Sequence, residues 1–139
     1  MAFKVFLDAN VLLDFTLKRA AYATSKKIIQ AAMDGAIEAF ITPAIVHITG
    51  YWLTKAYGIA VAKEILLVLL ADVRIIDISH EVTLNALHSQ IEDIEDALQY
   101  YTALHHQVDY FISLDKELKK SSIPALPVYT PDEFVRVVL

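Results

Sequence analysis

Acidic side chains recur in this sequence at places where a metal ion could be bound. Asp8 follows the apolar run "VFL", and Asp115 follows a second apolar run in "DYFISLD". A third group, "EDIED", contains Asp93 and Asp96, which are three positions apart and would share one face of a helix. Crowded carboxylates repel one another unless a cation neutralises them, and ligand sets made only of oxygen suit Mg²⁺ or Mn²⁺. These residues therefore predict metal-assisted chemistry on a phosphate, provided that the fold brings them together.

Each acid also has an ordinary structural explanation. Asp93 and Asp96 could favour the dipole of a helix that begins nearby, and Asp115 could cap the turn "DKEL". Asp8 is harder to explain in this way, because acids are rare at the end of a buried strand. What separates a site from a set of unrelated caps is convergence, which depends on the elements that carry the acids.

Apolar and β-branched runs predict five strands. They are expected at residues 3–7, 38–41, 73–78, 109–114 and 125–130, and the prolines of the last run place it at a sheet edge.

Helical patterns separate these runs. Helices are expected at residues 23–34, from the N-cap Thr42 and Pro43 to Gly58, at 59–71 and at 81–89, with a last turn or helix in "PDEFVRVVL". The clearest pattern is "SQIEDIEDALQYYTALHH", where Ser89 and Glu92 match a capping box at the helix start.

Strands that alternate with helices predict an α/β fold. We expect one domain over residues 1–139, with a central, mostly parallel sheet of four to five strands and helices on both faces. Ligands bind outside the carboxyl ends of the strands in such sheets. Asp8 and Asp115 would share that edge if their strands are neighbours, and the amino end of a following helix would bring Asp93 and Asp96 close to it.

Composition excludes several classes of protein. The 139 residues include no cysteine, so disulfides and thiolate metal sites are absent, which fits a reducing cytoplasm. A net charge of −5 argues against general nucleic-acid binding through a basic surface, although it does not exclude a nuclease whose carboxylates bind a metal. No apolar run approaches the roughly 18 residues of a membrane span. Without a glycine-rich loop, P-loop and dinucleotide sites are not expected.

Several polar residues beside the acids are weaker candidates. Lys18, Arg19 and Lys116 could hold a phosphate backbone, or they could simply be solvated charges. Asn10 could hydrogen-bond a carboxylate at the end of the first strand, or it could shape the turn there.

Three segments, "FLDANVLLD", "DIEDALQYYTAL" and "DYFISLDKEL", together resemble the PIN domain family. The resemblance covers nearly the whole chain and implies an α/β, metal-dependent nuclease that usually acts on RNA. Many single-domain members are VapC-like toxins of type II toxin–antitoxin pairs, which form homodimers and are inhibited by a partner antitoxin. The resemblance implies Asp8, Asp96 and Asp115 as metal ligands, Asp93 as a neighbouring acid and Asn10 as the polar residue beside Asp8.

One departure from the family pattern concerns the helix "TPAIVHITGYWLTK". The family usually has a glutamate there, whereas this segment contains no acid, and His47 or Ile48 falls at about that position. The chain therefore resembles a subgroup that lacks this glutamate, and a catalytically degenerate scaffold that binds RNA or a protein is the main alternative.

A phosphotransfer domain is a more distant alternative. A haloacid-dehalogenase-type phosphatase would need Asp-x-Asp at the end of the first strand, where this chain has Asn10 as the third residue. A response-regulator receiver would need a lysine after a late strand, and that lysine is not clearly placed here.

Overall fold

The computed structural model describes residues 2–139, which form five strands and eight helices. In chain order these are β1 Phe3–Leu7, α1 Ala9–Thr16, α2 Tyr22–Met33, β2 Ile37–Ile41, α3 Pro43–Tyr57, α4 Ile59–Leu69, β3 Val73–Ile75, α5 His80–His88, α6 Ile94–His105, β4 Tyr110–Ile112, α7 Lys116–Lys120, β5 Val128–Tyr129 and α8 Pro131–Val137.

All five strands are parallel and lie in the order β3-β2-β1-β4-β5. β1 is central: Phe6 pairs with Phe40 of β2 on one side and with Phe111 of β4 on the other. Val5, Phe6 and Leu7 are all completely buried, although successive side chains of a strand point to opposite faces. Both faces of the sheet are therefore covered, which confirms the expected α/β architecture.

Aromatic packing fixes α6 against the sheet. Phe6 and Phe111 stack with ring centroids 4.8 Å apart, and Tyr100 of α6 lies 5.6 Å from Phe111. The Tyr100 hydroxyl donates to the Leu126 carbonyl at 2.6 Å and accepts from the Ile123 amide at 2.9 Å. Because these buried contacts hold α6 in place, the amino end of this helix has a defined position at the carboxyl edge of the sheet.

Most expected elements are confirmed, with shorter strands. β3 ends at Ile75 and not at Ile78, and β5, which lies at an edge as expected, has only two residues. Thr42 caps α3 by accepting the Ile45 amide, with Pro43 in the first turn. Gly58, at φ 87°, separates α3 from α4. Among residues 2–139, no helix combines the length and apolar character that crossing a bilayer requires.

Two expectations about helices are wrong. The sequence did not predict α1, because its eight residues "ANVLLDFT" follow β1 after a single residue and are fewer than the roughly 11 over which a helical period can be recognised. The capping box at Ser89 and Glu92 is also incorrect, since α6 begins at Ile94 with Asp93 as its N-cap. Ser89 instead closes α5 by donating to the Ala86 carbonyl at 2.7 Å, because the chain turns between the two helices there.

Candidate metal centre

Asp8 lies at the carboxyl end of β1, where it also caps α1. One carboxylate oxygen, Oδ1, accepts the Ala9 amide at 2.7 Å, and the other, Oδ2, accepts the Ser113 hydroxyl at 2.8 Å. The side chain is only 8% exposed. Burial raises the pKa of Asp8, and the charges of Asp115 and Asp93 raise it further, while the two hydrogen bonds oppose the shift.

Ser113 connects two of the acids and was not identified from the sequence. It follows β4, is 2% exposed and donates to Asp8, and its Oγ also accepts the Asp115 amide at 3.1 Å. In the sequence this serine has no histidine–acid context that would mark it as part of a catalytic triad. A signal was nevertheless present, because Ser113 lies two residues before Asp115 at the end of a predicted strand.

Asp115 caps α7, so the structural explanation considered for it is correct as far as the backbone is concerned. Its Oδ1 accepts the amides of Glu117 at 2.9 Å and Leu118 at 3.2 Å. A hydrogen bond from Asp96 and these two amides lower the pKa of Asp115, against the effect of burial. The capping bonds leave the other carboxylate oxygen, Oδ2, free to face its acidic neighbours.

Asp96 lies in the first turn of α6. Its pKa is raised to about 8, first by burial, then by its hydrogen bond to Asp115, and then by the charges of Asp93, Asp115 and Asp8. The proton shared by the pair therefore lies on Asp96. Asp96 lines one cavity with Asp93 and Asp115, and Ser113 joins Asp115 to Asp8, so the acids at the ends of β1 and β4 and at the start of α6 are brought together.

Asp93 and Glu95 complete the cluster. Asp93 is the N-cap of α6 and not a residue of the helix, and it accepts the Asp96 amide at 2.9 Å. Asp93 and Asp96 nevertheless line the same cavity, as their spacing predicted. Burial, then the charges of Asp8 and Asp93, raise the pKa of Glu95. Glu95 was missed in the sequence because the aspartates around it match the expected pattern more closely.

We refer to Asp8, Asp93, Glu95, Asp96 and Asp115 together as the acidic cluster. Of these five, Asp93, Asp96 and Asp115 line one cavity of about 480 Å³, and Asp8 lies deeper. None of the three ion pairs within residues 2–139 involves any member of the acidic cluster. Its negative charge is therefore not balanced by a nearby lysine or arginine.

The donor chemistry of the acidic cluster fits a divalent cation of the Mg²⁺ or Mn²⁺ type, because every donor is a carboxylate oxygen. In the part of the chain that the structure describes, no group of three or more His, Cys, Asp or Glu side chains is arranged so that it could hold a metal ion without rearrangement. Hydrogen bonds hold the side chains of Asp8 and Asp115 in place. The side chains of the other acids would therefore be the ones that move to bind an ion. Asp96 would lose its proton when an ion binds, since metal ligands must be deprotonated.

The helix that lacks the expected glutamate contributes no acid to this site. His47 is exposed and lines a groove between α3 and α4 together with Tyr51 and Lys55, while Ile48 packs against the core. Neither of them lines the cavity of the acidic cluster. Glu95, by contrast, is close enough to Asp8 and Asp93 for their charges to raise its pKa.

The other candidate residues lie around α1 and α7. Arg19 donates through Nε to Asp14 at 2.7 Å and through Nη2 to Asn10 Oδ1 at 3.1 Å, so Asn10 is held by Arg19. Lys18 ends α1 with φ 51°, and Lys116 begins α7; both are exposed. Asn10, in the first turn of α1, and Lys116, in the first turn of α7, lie close to the carboxyl edge, and Arg19 is engaged by the buried Asp14 and by Asn10.

Comparisons with known proteins agree with this geometry. A PIN domain family model matches residues 4–117. No curated protein matches the chain at a significant level.

Among solved structures, a toxin–antitoxin complex from Klebsiella pneumoniae is similar at a TM-score of 0.69 and 21% identity, over 91% of this chain and 97% of that one. VapBC2 from Rickettsia felis, bound to a promoter DNA fragment, is similar at a TM-score of 0.67 and 18% identity, also over 91% and 97%. VapC20 from Mycobacterium tuberculosis, a toxin that cleaves the sarcin–ricin loop, is similar at a TM-score of 0.67 and 13% identity, over 87% of this chain and 97% of that one. At these identities the likeness concerns the fold, whereas the family model matches the sequence over most of its length. This chain belongs to the PIN domain family.

Proposed function

We propose that this protein is a divalent-metal-dependent endoribonuclease and the toxin of a type II toxin–antitoxin pair. The observation that carries the proposal is the convergence of the acidic cluster at the carboxyl edge of the sheet, without a cation from the chain to balance it. Membership of the PIN domain family supports nuclease chemistry. The similar VapC20 structure is that of an RNA-cleaving toxin, which supports RNA as the substrate class.

In this proposal Asp8, Asp96 and Asp115 are the catalytic residues and hold Mg²⁺ or Mn²⁺, with Asp93 and Glu95 beside them. When bound, the ion supplies an activated water and neutralises the charge that builds on the phosphate. Ser113 orients Asp8 and favours its ionised form through its hydrogen bond, against the effect of burial. We propose that Lys116, which follows Asp115 at the start of α7, and Lys18, which follows α1, contact the RNA backbone, and that Asn10 borders the site from the first turn of α1.

The proposed partners are an antitoxin and a second copy of the chain. Two of the similar structures are toxin–antitoxin assemblies, which supports an antitoxin. On α4, Leu67 and Val68 are 70% and 71% exposed, and Trp52 and Ile59 are exposed nearby on the same helical pair. An apolar surface of this kind marks a protein interface more often than a solvated face, and we propose that it is the homodimer contact. The absence of cysteine fits a cytoplasmic site of action.

One observation favours a second candidate, a degenerate scaffold that binds RNA or protein. α3 contains no acid that could contribute to the site. Within residues 2–139, no group of three or more His, Cys, Asp or Glu side chains is arranged to hold a metal ion without rearrangement. The two candidates are distinguished by incubating structured RNAs with the protein in Mn²⁺, in Mg²⁺ and in EDTA, with Asp96→Asn in parallel. Cleavage that needs the metal and is lost in the variant supports the nuclease. Metal binding without any cleavage supports the scaffold, and equal cleavage by the variant indicates a contaminating nuclease.

A further inference from the structure

A second cavity lies next to the acidic cluster, on the β2 side of the sheet. Phe6 pairs with Phe40, so Asp8 and Thr42 each lie two residues beyond that pair, at the carboxyl ends of neighbouring strands. The cavity measures about 210 Å³, and its lining includes Thr42 and Gln99. Gln99 lies three residues after Asp96 on α6, about one turn from the acidic cluster. The cavity is therefore placed to contact a substrate that is bound at the acids.

The floor of this cavity is a buried polar pair. Thr42 is 3% exposed and Gln99 is 2% exposed. The Thr42 oxygen accepts the Ile45 amide at 3.3 Å, and the Thr42 hydroxyl donates to Gln99 Oε1 at 2.5 Å. This arrangement fixes the orientation of the Gln99 amide, because the threonine donates its hydrogen to the carbonyl end.

The other end of the Gln99 amide is left as a free donor. Within residues 2–139, Gln99 Nε2 makes no hydrogen bond to a side chain or to the backbone, and it is not among the polar atoms that are sealed from solvent. This amino group therefore keeps some exposure and can donate to an acceptor that enters the cavity. The cavity that Gln99 lines is where an acceptor can reach it.

The remaining walls match a flat, partly apolar ligand. Pro43, Ile78 and Leu98 supply aliphatic surface, and Asp77 supplies an exposed carboxylate at the opening. His106 Nε2 lies 3.0 Å from the Asp77 carbonyl oxygen and can hold this segment in place. The volume is below the roughly 300–1,000 Å³ of pockets for drug-sized ligands, so the cavity suits a single ring system.

We propose that this cavity is a nucleobase subsite for a base that presents a carbonyl oxygen beside a ring N–H, as guanine and uracil do. Gln99 Nε2 donates to the carbonyl oxygen, Asp77 accepts the ring N–H, and the aliphatic side chains pack on the ring faces. Adenine and cytosine present an amino group and an unprotonated ring nitrogen at the same edge, which would face the Gln99 amino group and the Asp77 carboxylate. The inference rests on the proposed function in taking RNA as the source of the base.

The test uses nucleosides, which carry no phosphate and need no metal. Inosine and adenosine differ at the edge in question, as do uridine and cytidine, so each pair is internally matched. We expect inosine and uridine to shift the Gln99 side-chain amide resonances in a ¹⁵N-correlated NMR titration. Each should bind about three- to tenfold more tightly than its partner, the factor expected for one hydrogen bond. Equal affinity within both pairs, or no shift at Gln99, would overturn the subsite.

Two variants and a control test which residues produce the preference for inosine over adenosine and for uridine over cytidine. Asp77→Ala should remove most of the preference, and because Asp77 is exposed the variant should fold. Asp72→Ala removes the same charge at the opposite end of β3 and should keep the preference. Gln99→Glu, which replaces the amino donor with an acceptor, should abolish the preference for inosine and uridine. A preference that survives Asp77→Ala unchanged contradicts the assignment.

The outcome is separable from that of the proposed function. Metal-dependent RNA cleavage by a protein that does not discriminate between the nucleosides leaves the nuclease intact and removes the subsite. Selective nucleoside binding by a protein that cleaves no RNA supports the subsite and contradicts the nuclease.

Discussion

The Ser113 hydroxyl donates to Asp8 Oδ2 across a separation of 105 residues, at a distance of 2.8 Å. Ser113 Oγ also accepts a hydrogen bond from the Asp115 amide, so one buried serine fixes the positions of the acids at the ends of β1 and β4 relative to each other. Hydrogen bonds of this kind around metal ligands orient the ligand and keep it ionised. Ser113 is therefore a positioning residue, and it leads to the first prediction.

Ser113→Ala should weaken Mn²⁺ binding by about 10- to 100-fold, the range found when partners of metal ligands are removed. The variant leaves Asp8 Oδ2 buried without its donor, which should also lower the free energy of unfolding by about 1–3 kcal/mol. Calorimetric titration with Mn²⁺ and urea unfolding measure the two effects. Ser122→Ala, which removes a serine whose hydroxyl bonds only to a nearby carbonyl, is the control and should change neither quantity by much. Unchanged Mn²⁺ affinity in Ser113→Ala would refute the positioning role.

The raised pKa of Asp96 predicts a pH dependence of stability. The folded protein keeps this proton up to about pH 8, whereas the unfolded chain releases it near pH 3.8, the ordinary pKa of an aspartate. Between these values the folded state binds more protons, so the contribution of Asp96 to stability is full at low pH and is lost as the pH rises towards 8. Asp96→Asn should remove that decline when metal-free samples are compared by thermal unfolding. A variant whose stability falls with pH as steeply as the parent protein would contradict the shifted pKa.

Metal binding should show the opposite trend for the same reason. An ion must displace the Asp96 proton below about pH 8, so the apparent affinity for Mn²⁺ should increase with pH across this range. Calorimetry in buffers of different ionisation enthalpy should detect about one released proton at pH 7. If no proton is released, the ion does not displace the proton of Asp96, and the prediction is wrong.

Lys18 permits a test that separates a role in folding from a role in RNA binding. It adopts φ 51° at the end of α1, where the Arg19 amide bonds to the Asp14 carbonyl at 3.0 Å and the Lys18 amide to the Phe15 carbonyl at 3.4 Å. Glycine suits this helix ending better than any other residue. Lys18→Gly should therefore raise the free energy of unfolding by about 1 kcal/mol and, if Lys18 contacts the RNA backbone, weaken RNA binding.

Gln107→Gly is the matched control for this change. Gln107 ends α6 in the same conformation, at φ 58°, and carries no charge. It should give a similar gain in stability without any change in RNA affinity. Equal RNA affinity in both variants would remove Lys18 from the substrate-binding residues.

The exposed apolar face of α4 predicts the behaviour of the chain in solution. Leu67→Asp should convert a dimer into a monomer in light scattering, because a charge would be buried without a partner at the proposed contact. Leu87→Asp, on α5, changes an exposed leucine of comparable exposure and should leave the dimer intact. A parent protein that remains monomeric over a wide concentration range would contradict the proposed contact.

Local sequence patterns predict the frame of the site better than its supporting contacts. The apolar runs that end at Asp8 and Asp115 indicate buried parallel strands, and this was enough to place both acids at one edge. α1 was missed because its eight residues are too few for a helical period to be recognised and because it follows the apolar strand β1 after a single residue. "SQIE" satisfies a local capping rule, yet the turn between α5 and α6 moves the helix start to Asp93. Ser113 and Gln99 depend on partners that are distant along the chain, which no local pattern reveals.

The central claim is that the acidic cluster holds the metal ion with which the protein cleaves RNA. The most direct measurement is a Mn²⁺ titration by calorimetry, followed by RNA cleavage with the same samples, for the parent protein, Asp8→Asn and Asp72→Asn. Our account predicts that the parent protein and Asp72→Asn bind Mn²⁺ and cleave, whereas Asp8→Asn loses both properties. Mn²⁺ binding and cleavage that persist in Asp8→Asn would contradict it, because the ion would then be held elsewhere.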